Sequence, residues 1–212
     1  MTTLSRIAEL WSIDLAQPSP ISIPNKGRQS LMRLFHHLNF TVGAEIGTER
    51  GIFAKLICLN IPGVKLYCVD PWLAYKGYRE HVSQEKLDGF YLETIERMAP
   101  YDCTLIRKTS VEAARDFDDG SLDFVYIDSN HRLDHVIADL HAWEPKVKRQ
   151  GVISGHDFLR RKNPQRYQCH VVEAVYAYTQ SYRIEPWFVV GARDKVAGVE
   201  RDDVRSFFWV KE

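Results

Sequence analysis

The chain has 212 residues, enough for one domain of ordinary size, and its 45% hydrophobic and 12% aromatic content can bury a sizeable core. Its 28 basic and 28 acidic residues cancel, which argues against a nucleic-acid partner held by phosphate neutralisation. No charged start precedes an apolar run near the N-terminus and no apolar stretch reaches about 18 residues, so neither a leader nor a membrane partner is expected, and the expected compartment is cytoplasmic.

Residues 1–40 read as a helical and proline-rich extension, and 41–212 as the main domain. Leu4 to Trp11 has the spacing of a short amphipathic helix. Pro18, Pro20 and Pro24 exclude a helix from 17–27, which is either an arm on the surface or a segment folded over a site. Helical periodicity returns at Arg28 to Leu38, with Leu31, Leu34, Phe35 and Leu38 on one side. After Thr41 strands and helices alternate, as they do in a parallel sheet covered on both faces. Strands are expected at 42–46, 64–69, 103–107, 122–127 and 151–155, and helices at 52–60, 82–98, 110–116, 132–147 and 168–182. Trp187 to Val190 and Ser206 to Val210 lack a helix between them and should pair antiparallel. The expected fold is therefore α/β, a seven-stranded, mostly parallel sheet with a C-terminal antiparallel hairpin. Cys58, Cys68, Cys103 and Cys169 have no zinc or redox spacing, and the first two fall in apolar segments that should bury them.

Glu45-Ile46-Gly47-Thr48-Glu49-Arg50-Gly51 joins a strand to a helix through two glycines. Glycine permits a sharp turn and close approach of a ligand to bare backbone, and the following helix start offers unpaired N–H groups. Asp70 ends the next strand about 20 residues downstream, where a carboxylate suits a pair of ribose hydroxyls. Strand ends elsewhere carry Ser110, Asp128 and the pair His156-Asp157. If the last two loops converge, Asp128, His156 and Asp157 offer oxygen and nitrogen ligands to one divalent ion, with imidazole favouring Mn²⁺ or Fe²⁺ over Mg²⁺. Equally, the acids could cap the helices that follow while the histidines bond to loops. His131, three residues after Asp128, would stay free, with a pKa near neutrality suited to taking a proton.

These segments, with Val69-Asp70-Pro71-Trp72 and Gly151-Val152-Ile153-Ser154-Gly155-His156-Asp157, resemble class I S-adenosylmethionine-dependent methyltransferases. The likeness is greatest to small-molecule O-methyltransferases such as catechol and macrolide-sugar O-methyltransferases, and runs from about residue 40 to the C-terminus. It implies a Rossmann-like methyltransferase fold with S-adenosyl-L-methionine as cofactor. By that resemblance Glu45, Gly47, Thr48 and Gly51 line the methionine end, Asp70 binds the ribose, and Trp72 and Ser110 lie near the adenine. Asp128 falls on the first metal-ligand position beside the cofactor, His131 on the catalytic base, and His156 and Asp157 on the second and third ligands. The sequence departs from the family in carrying histidine at 156, often an acid, and in lacking the third glycine of the wider superfamily pattern.

The implied reaction is O-methylation of a small hydroxylated acceptor, a sugar or an aromatic natural product, with Mg²⁺ or another divalent metal assisting. A nicotinamide-dependent oxidoreductase would want Gly-x-Gly-x-x-Gly, which Gly47-Thr48-Glu49 breaks. A nucleic-acid amino-methyltransferase would carry Asn/Asp-Pro-Pro-aromatic where this chain has Asp128-Ser129-Asn130-His131. A non-catalytic module on the same fold is the remaining alternative. Trp72, Tyr75 and Tyr78 could form a lid, and Arg160-Arg161-Lys162 a docking site for an acidic acceptor. Aromatics around Trp72 and Trp187, if exposed, would favour a homodimer. Asp134 and Asp139 read as solvent-facing or as first-turn residues of their helix.

Overall fold

Apolar runs bounded by glycine and polar turns set the sheet, and the computed structural model describes it through residues 1–75, 83–160, 168–192 and 204–212. Tyr78 of the expected lid, Arg161, Lys162 and most of the segment between the last two strands lie outside the described residues. In chain order the elements are α1 (Thr3–Trp11), β1 (Ile21–Ile23), α2 (Arg28–His37), β2 (Val42–Ile46), α3 (Ile52–Asn60), β3 (Lys65–Val69), α4 (Gln84–Met98), β4 (Cys103–Ile106) and α5 (Ser110–Ala114). There follow β5 (Leu122–Ile127), α6 (Leu133–Trp143), β6 (Val147–Gly155), α7 (Val171–Tyr182), β7 (Trp187–Val190) and β8 (Ser206–Val210).

The strands form one sheet in the order β1-β7-β8-β6-β5-β2-β3-β4. Every pairing is parallel except β6 with β8 and β7 with β8. All six residues of β5 are buried, as a central strand covered on both faces requires. Ile7, Leu31, Phe35 and Ile57 of α1 to α3 pack on one face, and Ala113, Val136, Leu140 and Val175 of α5 to α7 on the other. Asp123 is the buried acid of β5. It accepts the backbone N–H groups of Thr41 at 2.5 Å and Val42 at 2.9 Å, fixing the entry into β2.

Three expectations are corrected. Among the described residues the sheet has eight strands, not seven, because Ile21–Ile23 of the proline-rich segment pairs with β7. Ile21 and Ile23 bury on one face while Ser22 stays exposed, too short an alternation to stand out between prolines. The helix expected at 132–147 stops at Trp143, since Pro145 enters a short 3₁₀ turn over Glu144–Lys146, and β6 begins at Val147. Trp72 and Trp187 are buried, so neither supplies the exposed aromatic surface on which a dimer was expected. Among the described residues no helix is long and apolar enough to cross a membrane.

Strand order reverses between β2 and β5: the chain moves outward through β3 and β4, then returns to the opposite side of β2. At such a switch the two following loops diverge, opening a crevice beyond the carboxyl ends of the strands.

Candidate active site at the strand carboxyl ends

A cavity of about 590 Å³ occupies that crevice. It is lined by Glu45, Gly47, Thr48, Asp70, Ser110, Asp128, His131 and Asp157 from the sequence reading, and by Arg28, Phe53, Tyr75, Ser129 and Asp139 in addition. Backbone bonds lock its rim: Gly47 N–H donates to Val69 O at 2.8 Å and Asp128 N–H to Ile46 O at 2.7 Å. Gly47 has φ +93, and a Cβ there would stand 2.2 Å from the Asp128 carbonyl oxygen. Only glycine allows both the left-handed turn and this approach of the two loops.

Along one wall, Asp70 accepts N–H groups from Glu49 at 2.9 Å and Trp72 at 2.8 Å, which fix its carboxylate at the cavity edge. Glu45 is fully buried deeper in. Burial pushes its carboxyl well up, against a hydrogen bond from Thr48, and the nearby Asp128 and Asp70 carboxylates push it further. Its Oε2 has no hydrogen-bond partner among the described residues. A buried carboxylate short of donors favours a cationic ligand group beside it.

Two of the expected cofactor residues stand elsewhere. Trp72 is fully buried, packs on the Tyr91 ring and donates its indole N–H to Glu49 O at 2.6 Å. Its positive φ of 42 turns the side chain back under the glycine loop, so it supports that loop instead of lining the cavity. Gly51 also turns the chain, with φ +68, but faces Thr94 and Met98 of α4.

At the other end, four titratable side chains meet. His131 Nε2 lies 3.2 Å from Asp157 Oδ2 and 3.6 Å from Asp128 Oδ1, and His156 Nδ1 lies 3.3 Å from Asp157 Oδ2 and 3.6 Å from Asp128 Oδ2. Burial alone would push the His131 pKa down, but its hydrogen bonds to Asp128 and Asp157 outweigh this and raise it to about 11. His156 is raised for the same reason, opposed by burial and by the Arg28 charge. Burial raises and the two imidazoles more strongly lower Asp157. The expected near-neutral His131 is therefore corrected: two carboxylates from different loops shift its pKa upward and favour the imidazolium form. His170 anchors the same loop, its N–H donating to His131 O at 2.8 Å and its Nδ1 accepting Leu133 N–H at 3.3 Å.

Asp128, His156 and Asp157 each offer a ligand atom, all within 4.8 Å of one another. Two carboxylates and an imidazole suit a divalent ion, with the nitrogen donor shifting preference from Mg²⁺ toward Mn²⁺ or Fe²⁺. His156 takes part in this cluster from beneath the cavity wall without lining it. Arg160, singled out for an acidic acceptor, instead pairs with Glu173 at 2.8 Å on the surface. Asp139 is 4% exposed and faces the cavity, contrary to a solvent-facing role.

A family model described as a methyltransferase domain matches residues 44–158. The uncharacterized protein y4gI of Sinorhizobium fredii (strain NBRC 101917 / NGR234) is 29% identical over 171 residues, or 74% of this chain and 18% of that relative. The chain thus spans under a fifth of the length of this curated relative. Among solved structures, the O-methyltransferase TomG from Streptomyces achromogenes, in complex with SAM, aligns at TM-score 0.59 and 13% identity over 99% of this chain and 90% of that one. The SAH-bound methyltransferase PaMTH1 of Podospora anserina aligns at 0.57 and 12% identity over 87% and 78%. Spermidine synthase from Thermotoga maritima aligns at 0.54 and 16% identity over 85% and 57%. These likenesses establish a Rossmann-like methyltransferase fold, and their different names illustrate that the fold alone does not choose the group transferred.

Proposed function

Because the chain belongs to the methyltransferase-domain family, we propose that it transfers a methyl group from S-adenosylmethionine to a hydroxyl oxygen of a small molecule, a sugar or an aromatic natural product. The observation that carries this reading is the single cavity that runs from Glu45, Asp70 and Ser110 to Asp128, His131 and Asp157. S-adenosylmethionine supplies a methyl group already activated by its sulfonium, which leaves the chain to align the acceptor, exclude water and manage one proton.

The residues divide that work. Asp70, its carboxylate held by two backbone N–H groups, accepts from the ribose hydroxyls. Glu45 meets the cationic methionine end, whose arrival offsets the cost of burying its own carboxylate. The turn at Gly47 brings backbone, without a side chain, against the same end. Fixing the acceptor oxygen in line lowers the barrier by several kcal/mol through proximity alone.

Asp128, His156 and Asp157 are the residues that would hold a divalent cation, and such an ion would acidify the acceptor hydroxyl. His131 is the proposed base. Asp128 and Asp157 hold its proton in the arrangement described, so engaging those carboxylates elsewhere is what frees Nε2 to accept one.

The test pairs binding with turnover. S-adenosylhomocysteine should raise the melting temperature and NADH should not, and hydroxylated metabolites should release S-adenosylhomocysteine from S-adenosylmethionine. Stabilisation by NADH alone would replace this reading with a nicotinamide enzyme.

A further inference from the structure

A second cavity, of about 310 Å³, lies away from the crevice at the strand carboxyl ends. Its size falls within the range of about 300–1,000 Å³ common to small-molecule sites. It borders Gln150 near the start of β6 and Trp209 to Lys211 at the end of β8, whereas His156 and Asp157 follow the far end of β6. The connection from α7 to β7 forms another wall through Arg183, Ile184 and Pro186. Methyl transfer makes no use of this place.

Trp209 is 1% exposed, and its indole N–H has no hydrogen-bond partner among the described residues. A buried indole N–H ordinarily finds an acceptor, because leaving it alone costs the desolvation of the group. Tyr178 and Phe207 stack on the ring and hold it in place. Gln150 adds a second donor. Its Oε1 accepts Thr3 N–H at 2.8 Å and its carbonyl accepts the Thr3 hydroxyl at 2.7 Å, which fixes the side chain and leaves its Nε2 protons over.

Arg183, exposed where α7 ends, and Lys211 bring positive charge to the same cavity. Lys211 gives its protons to the carbonyls of Glu144, Pro145 and Val147, at 2.8, 3.2 and 2.8 Å, so it adds field without a further bond. The bordering carboxylates compete little: Glu144 takes the Tyr178 hydroxyl at 3.4 Å, and Glu185 and Glu212 are exposed. Leu4, Ile184, Pro186 and Val210 supply an apolar wall.

We propose that this cavity is a second binding site, for a small monocarboxylate with an apolar body. The carboxylate accepts the Trp209 and Gln150 N–H groups, Arg183 and Lys211 favour its charge, and the body lies on the apolar wall. An ionised acceptor suits these donors because such hydrogen bonds are roughly twice as strong as neutral ones. The site stands independently of the methyl-transfer reading.

Nitrogen–proton NMR of the full chain tests this, with benzoate, 3-phenylpropanoate and hexanoate as probes and benzylamine as the cationic control. Trp72→Phe and Trp209→Phe assign the two indole peaks. At least one carboxylate should shift the Trp209 peak saturably, with a midpoint at or below about 1 mM. The Trp72 peak should stay put, and benzylamine should move neither. Trp209→Phe keeps a ring and removes the N–H, so affinity read from the probe's own line broadening should fall at least about tenfold. Should that core variant fail to fold, the surface change Arg183→Glu should weaken the same probe about fivefold or more. No saturation by any of the three acids, an equal response to benzylamine, or affinity untouched by the substitutions overturns the proposal, and the cavity then holds water only.

Discussion

The Nε2 atom of His131 lies 3.2 Å from Asp157 Oδ2, an ion-pair distance between groups from loops twenty-odd residues apart in sequence. With Asp128 beside them, the hydrogen bonds and charges of the two acids overcome burial and raise the His131 pKa to about 11. Imidazole NMR should therefore find His131 charged through neutral pH, and Asp157→Asn should lower its titration by about one unit or more. The sign for stability follows. A pKa raised above the unfolded value of about 6.5 stabilises fully below that pH, and the contribution is lost as pH climbs toward the folded pKa. Denaturation curves between neutral and strongly alkaline pH should show this decline in wild type, and less of it in the variant.

His131→Ala should reduce turnover by about 10²- to 10⁴-fold, the range for a positioned proton acceptor. S-adenosylhomocysteine affinity should stay within about twofold, since the imidazole faces the acceptor end. A loss of binding as large as the loss of turnover would assign His131 to the cofactor instead.

Removal of divalent cations tests the cluster of Asp128, His156 and Asp157. Activity should fall in chelator and return with Mn²⁺ or Fe²⁺ more readily than with Mg²⁺. Asp128→Asn should weaken the metal requirement by at least about tenfold in affinity. Full turnover in chelator would remove the metal from the account and leave the fold and the donor site intact.

Two glycines with positive φ separate conformational strain from lost space. Gly47→Ala meets both a φ of +93 and the Asp128 carbonyl, whereas Gly63→Ala meets a φ of +78 in open space. The first should cost about 1–3 kcal/mol more than the second and lower S-adenosylhomocysteine affinity, while the second leaves binding unchanged. Urea denaturation and calorimetry of the two variants check this.

Much of the architecture was legible because buried parallel strands write themselves as apolar runs ending in polar residues. Leu122 to Ile127 shows this, and so does the succession Glu45, Asp70, Ser110 and Asp128 at the strand ends. Side-chain direction after a strand end was not. Trp72 sits three residues beyond β3, and its left-handed backbone accompanies an indole turned under the glycine loop. Asp139 stands mid-helix between Ala138 and Leu140, and its facing depends on how α6 rolls against β5 and α5. Arg28 follows the proline-rich stretch, and its place at the cavity depends on β1 joining β7, a pairing distant in sequence. The charge of His131 was hidden for the same reason, since its two acids come from separate loops.

Asp123 offers a test away from the site. Burial pushes its carboxyl up, but Lys148 and the N–H groups of Thr41 and Val42 prevail and hold it below the usual range. Its contribution is present above the unfolded pKa of about 3.9 and lost as pH falls through the lower folded value. Asp123→Ala should cost about 1–3 kcal/mol at neutral pH by leaving two N–H groups unpaired, and should flatten the acid limb of the stability profile.

Titration of the wild-type chain and of Asp70→Ala with S-adenosylhomocysteine tests the central claim most directly. Saturable one-to-one binding to wild type, weakened at least about tenfold in the variant, is the expected result. Absence of binding to wild type, or equal affinity for both proteins, would contradict a nucleoside donor site at the ends of β2 and β3.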